Sequence, residues 1–269
     1  ADRGAAIFAQ NGAKVVLHSA VTIRVCASAT FGAGVVLTKS DTLLTVTGES
    51  THVIIEGNTA PLGAGVVVLA GAGVLVEDTA KLTLKNNKAT TGNGGGMYLL
   101  GKDSTFSATG INTSVAVESN TAGQAGGGIY FTTGADMLVE NGATVVIQEN
   151  TATSLVGGGV SLSSEGSTLT ATGTGTRLTV ESNTAGQGGG GMFSMSGADV
   201  MVESGAALVV QNNTATSLGG GGVYLQDEGS TFTATGNNTR VSVESNTAGE
   251  AGGGMFSMSG ADVMVESGA

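Results

Sequence analysis

Asparagine recurs along this chain at Asn58, Asn87, Asn120, Asn150, Asn183, Asn213 and Asn246, at spacings of 29, 33, 30, 33, 30 and 33 residues. A period of this size, held across most of a chain, marks a repeat architecture whose units cannot bury a hydrophobic face alone. Two successive spacings sum to a 63-residue double repeat from residue 120 onward, and residues 246–269 match 183–206 at 22 of 24 positions. Each unit carries three short alternating runs, such as Gly128-Ile129-Tyr130-Phe131, Ala135-Asp136-Met137-Leu138-Val139-Glu140 and Thr144-Val145-Val146-Ile147-Gln148. None exceeds strand length and none has a helical period. The expectation is an all-β, right-handed parallel β-helix with three strands per coil of about 31 residues. Eight to nine coils stacked at strand spacing give a rod roughly 40 Å long. It forms a single array over residues 1–269, with more diverged coils in 1–57 and regular coils in 58–269.

Alternation assigns the faces. Leu169, Ala171, Val200, Val202, Leu178 and Val180 point inward, and Thr168, Thr170, Asp199, Met201, Arg177 and Glu181 outward. Glycine triplets such as Gly126 to Gly128 stand where the chain bends beside its neighbours, conformations that cost glycine least. The asparagines are expected to form a ladder of stacked amides that satisfies the turns. In the outward column of the third strand, read as Cys26, Glu56, Lys85, Glu118, Gln148, Glu181, Gln211 and Glu244, the glutamates are interleaved with Lys or Gln. Like charges are therefore not stacked at strand spacing.

Composition narrows the function. Glycine makes up 47 of the 269 residues and proline only 1, while 40% of residues are hydrophobic, a regular apolar content that a disordered chain lacks. Net charge is −11, with 8 Lys/Arg and 6 Asp/Glu up to residue 102 but 2 and 15 beyond it. Such a body repels nucleic acid and anionic lipid. The uncharged stretch Gly57 to Val76 is broken by Pro61 and two Gly-Ala-Gly triplets, so it reads as strands rather than a membrane span. Cys26 is the only cysteine and forms no internal disulfide; read as outward, it is an inert thiol or an intermolecular link.

Polysaccharide-cleaving enzymes also use this fold, and an active site would have to break the repeat with converging acids and bases. After residue 102 the only basic side chains are Arg177 and Arg240, at equivalent repeat positions, and His18 and His52 stand apart. No catalytic residue, metal site or cofactor is expected. An outward aromatic column through Tyr98, Tyr130, Phe193, Tyr224 and Phe256 offers a surface for glycan or a partner rod. Asn112, Asn212 and Asn237 fit the N-glycosylation pattern.

Ser119-Asn120-Thr121-Ala122 followed by Gly126-Gly127-Gly128-Ile129 resembles the repeats of chlamydial polymorphic outer membrane proteins, which carry GGA-aliphatic and F-x-x-N motifs. Val117, Ile147, Val180, Val210 and Val243 stand at the Phe position, and Gly replaces most GGA alanines. The resemblance covers the chain from residue 32 onward and implies a secreted passenger displayed at the cell surface. Together these readings point to an extracellular structural or adhesive rod, with a glycan-binding module as the alternative. Because residues 261–269 repeat 198–206 without a difference, the rod is expected to continue, or to assemble head to tail with another copy.

Overall fold

A computed structural model describes residues 5–266, and every regular element in it is a β-strand. The chain winds as a right-handed parallel β-helix of about eight turns, about 31 residues each, the hand that parallel crossover connections take. Three long ladders run along the axis. The first extends from Ile7–Gln10 to Met255–Met258, the second from Lys14–Leu17 to Asp262–Val265, and the third from Val21–Arg24 to Arg240–Glu244. Every pairing is parallel.

A fourth ladder joins the three expected ones. It consists of two-residue strands running from Thr59–Ala60 to Thr247–Ala248, directly after the asparagines. Its alanines from Ala60 to Ala215 are buried where the chain turns toward the first ladder.

The core is a stack of aliphatic layers. Leu169, Ala171, Leu178, Val180, Val200 and Val202 are all fully buried, and neighbouring residues in each strand face outward. Phe106, Phe131 and Phe232 fill the larger gaps. No coil closes its own core, so each contributes mainly through its two neighbours.

Two glycines show why the connector into the first ladder tolerates nothing else. Gly157 has φ +64°, and a Cβ there would stand 2.3 Å from the Val160 carbonyl oxygen. Gly159 has an ordinary backbone, but its Cβ would lie 2.7 Å from Gly191 O and 2.9 Å from Asn183 Nδ2.

The double repeat has a physical cause. At the corner between the first and second ladders the last residue reads Ala13, Thr42, Ala72, Ser104, Ala135, Ser167, Ala198, Ser230. Between the second and third it reads Thr51, Ala80, Thr113, Ala143, Thr176, Ala206, Thr239. Hydroxyl corners are four-residue turns, as at residues 101–104, and alanine corners are three-residue turns, as at 133–135. Ser167 Oγ donates to Ser163 O (3.0 Å) and accepts from the Gly134 N–H of the coil before (3.1 Å). Thr239 Oγ1 likewise bonds Thr235 O (2.7 Å) and accepts from Gly205 N–H (3.0 Å). These corners supply two of the three residues by which longer and shorter coils differ, each hydroxyl corner clasping the alanine corner before it; the third is an extra residue in the connector from Asn150 to Gly157, compared with Asn120 to Gly126.

One residue departs from this pattern. Thr79 stands where later repeats have Gly142 and Gly205, at φ +65°, and its buried hydroxyl has no partner. A β-branched residue in that region carries strain of about 1–3 kcal/mol. Thr79→Gly is expected to leave the fold unchanged and raise stability by about 1 kcal/mol, since glycine's greater unfolded-state entropy offsets part of the relief. Urea unfolding of the two chains checks this; a lower midpoint for the glycine variant would count against it.

Candidate binding surfaces

The asparagine column runs along the inside corner after the third ladder. All seven side chains stack, and the six from Asn58 to Asn213 are fully or almost fully buried. Asn150 shows the pattern. Its Oδ1 accepts from the Asn120 backbone N–H (2.9 Å) and from Asn120 Nδ2 (3.0 Å). Its Nδ2 donates to Val117 O (2.8 Å) and to Asn183 Oδ1 (3.0 Å). Each amide from Asn58 to Asn213 thus uses both its donors and its acceptor, as a buried polar group must.

Cys26 belongs to this column, not to the outward column of the third ladder. Arg24 is the residue that pairs with Glu56, which places Cys26 level with Asn58. The Cys26 N–H donates to Asn58 Oδ1 (3.0 Å), and its half-buried thiol packs against the core. The outward reading fails because the register is set two residues earlier, by Val21 against Val53 and Arg24 against Glu56.

The aromatic column is in register as Tyr98, Tyr130, Ser161, Phe193, Tyr224 and Phe256, but it is not an open platform. Phe193 is 2% exposed and Tyr224 is 4%. The glycine-rich connector lies across them: a Cβ on Gly188 would stand 2.2 Å from Tyr224 Cδ1, and one on Gly219 would stand 2.6 Å from Phe256 Cδ1. Phe193 and Tyr224 meet edge to face at 5.1 Å, and Tyr224 and Phe256 pack at 5.2 Å. These rings act as packing between coils. Only Tyr98 and Tyr130, stacked at 5.5 Å and 11°, and Phe256 remain half-exposed. Burial and the neighbouring Tyr130 push the Tyr98 phenol above its usual pKa.

Asn112, Asn212 and Asn237 are all exposed. The threonines of the first and third of these motifs are corner residues: Thr113 accepts from Thr79 N–H at 3.1 Å, and Thr239 is bonded as described above. Asn212 immediately precedes the buried Asn213 of the ladder.

Charges on the third ladder are matched along the axis. Lys85 pairs with Glu56 at 3.2 Å, Gln148 donates to Glu118 at 3.2 Å and Gln211 donates to Glu181 at 2.6 Å. His52 Nε2 lies 3.0 Å from Thr83 Oγ1, and His18, just past the Lys14–Leu17 strand, is exposed. Among the described residues no three His, Cys, Asp or Glu side chains are grouped to hold a metal ion. Nor, among them, is any helix long and apolar enough to cross a membrane.

Comparison with known proteins agrees with this architecture. A family model described as the right handed beta helix region matches residues 2–174. No curated protein and no solved structure matches the chain. Parallel ladders along the whole described length, inward aliphatic layers and a model match over more than half of the residues converge: the chain belongs to the right-handed β-helix family.

Proposed function

We propose that this chain is an extracellular structural or adhesive rod, part of a surface filament, coat or appendage. The observation that carries the reading is the uniformity of the coils. The asparagine ladder, the corner clasps and the aliphatic layers repeat along the axis, so outward positions recur in register from coil to coil, in alternating acidic and hydroxyl rows on the second ladder. A surface of that kind suits many weak, repeated contacts, whose strength comes from multivalency. The likeness of the Asn-Thr-Ala and Gly-Gly-Gly-aliphatic segments to the repeats of chlamydial surface passengers supports the same reading. The acidic charge beyond residue 102 favours partners other than nucleic acid or anionic membrane.

A second reading keeps glycan binding at Tyr98 and Tyr130, the half-exposed stacked pair. Glycosylation of Asn112, Asn212 or Asn237 is compatible with their exposure and with either reading.

Beads coated with the purified chain are expected to adhere to a cell or matrix surface, and the chain is expected to leave pectin, alginate and other uronic-acid polymers uncut. Polymer cleavage abolished by a single substitution would replace the rod with an enzyme. Adhesion lost on Tyr98→Ala and Tyr130→Ala, and competed by soluble sugar, would favour the glycan module.

A further inference from the structure

The outer face of the second ladder differs from the other two. From residue 105 on, rows of Asp-aliphatic-Glu alternate with rows of hydroxyl residues. Asp136-Leu138-Glu140 and Asp199-Met201-Glu203 flank Thr168-Thr170-Thr172. These outward side chains are half-exposed. The first ladder's outer column is covered by connectors at Phe193 and Tyr224, and on the third ladder Glu56, Glu118 and Glu181 are answered by Lys or Gln. Here the carboxylates make no ion pair, although Lys102 lines the same shallow pocket as Asp136. Asp136 and Asp199 are pinned by Thr168 and Thr231, each at 2.7 Å, while the Glu140 and Glu203 side chains make no hydrogen bond or ion pair. The only Lys or Arg side chains beyond residue 102, Arg177 and Arg240, belong to the third ladder.

We propose that this face docks a basic polypeptide in extended conformation, with the pattern cation-x-aliphatic-x-cation. The proposal rests on the rod reading and names its partner. Asp199 and Glu203 are four residues apart in a strand, about 13 Å, and a facing strand presents its first and fifth residues at the same separation. A central Leu or Val of that strand then lies over Met201 or Leu138, and the two sheets stack at about 10 Å. Acidic rows recur every second coil, about 9.6 Å along the axis, so successive basic segments engage successive rows and gain from linkage. The charge match fixes register and speeds association, while the aliphatic column separates this partner from a bare polycation.

The test uses the full chain and a synthetic peptide of three Lys-Thr-Leu-Thr-Lys segments joined by Gly-Ser linkers, followed by calorimetry at physiological salt. The expected affinity is at least tenfold tighter than for oligolysine of equal charge. Glu140→Gln with Glu203→Gln is expected to weaken binding at least tenfold. Glu118→Gln with Glu181→Gln, the same change in charge on the third ladder, is expected to change it less than twofold. Absence of binding, equal binding of oligolysine, or equal losses from the two double variants would overturn the proposal; the last two would mark the rod as a diffuse polyanion. The same variants on coated beads separate the two ideas. Adhesion that persists without peptide binding refutes this face and leaves the rod reading standing. Peptide binding by a chain whose beads adhere to nothing refutes the adhesive role and leaves the docking face.

Discussion

Replacing Asn150 with alanine is expected to cost about 2–6 kcal/mol of stability, because it strands two buried donors at about 1–3 kcal/mol each. Those donors are the Asn120 N–H and one Asn120 Nδ2 hydrogen, both of which now end on Asn150 Oδ1. Water cannot reach the site to replace the lost acceptor, since Asn120 and Asn150 are fully buried. Asn150→Asp keeps the shape and the acceptor but removes the donors to Val117 O and Asn183 Oδ1. At neutral pH the ionised carboxylate would face two oxygens without a hydrogen to share, so this variant should also be destabilised. Burial holds its folded-state pKa above the unfolded value, so lowering the pH through that raised pKa should restore part of the loss. Denaturant unfolding at several pH values checks both variants. An alanine variant within about 0.5 kcal/mol of the parent, the range of an ordinary surface change, would mean the column is ornamental.

Deleting two coils should harm this protein less than deleting one. Removal of residues 120–182 takes out a whole double repeat and leaves a hydroxyl corner at Ser104 followed by an alanine corner at Ala198, the native order. Removal of residues 120–149 alone sets the Ser104 and Thr113 corners directly against Ser167 and Thr176. The donors Gly134 N–H and Gly142 N–H disappear with the excised coil, and four-residue turns stack on four-residue turns. Two lost hydrogen bonds at about 1 kcal/mol each, with strained turns at about 1–3 kcal/mol, put the damage at that junction near 3–5 kcal/mol. Repeat proteins sum nearest-neighbour terms, so a damaged junction is not averaged away. The chain lacking 63 residues should therefore melt at a higher temperature than the chain lacking 30. The reverse order would show that coils are interchangeable one by one.

Much of this architecture could be read from spacing alone. Aliphatic alternation fixes the three long ladders because a one-residue slip would turn every buried side chain outward. The even recurrence of Asn58 to Asn246 marks a column because a buried amide stacks only on its own kind in register. What escaped the sequence lacks an alternation or a chemistry of its own, even where it recurs with the repeat. A two-residue strand such as Thr121–Ala122 shows no alternation, so the fourth ladder is silent. Cys26 lies 32 residues before Asn58, within the repeat spacing, but its different chemistry hides its place in the column. The aromatic positions were legible as a column, yet their cover comes from glycines, which leave no hydrophobic signature. The corner alternation was visible as a 63-residue period, while its cause needed the hydrogen bonds of Ser104, Ser167 and Ser230.

The proposed rod, acting through a repeated outer surface at the outside of a cell, is tested most directly by labelling. Antibodies raised against the purified chain, visualised by gold particles in electron microscopy of intact, unpermeabilised source cells, should decorate the surface or filaments projecting from it. Gold confined to the cell interior after sectioning, with an undecorated surface, would contradict the account.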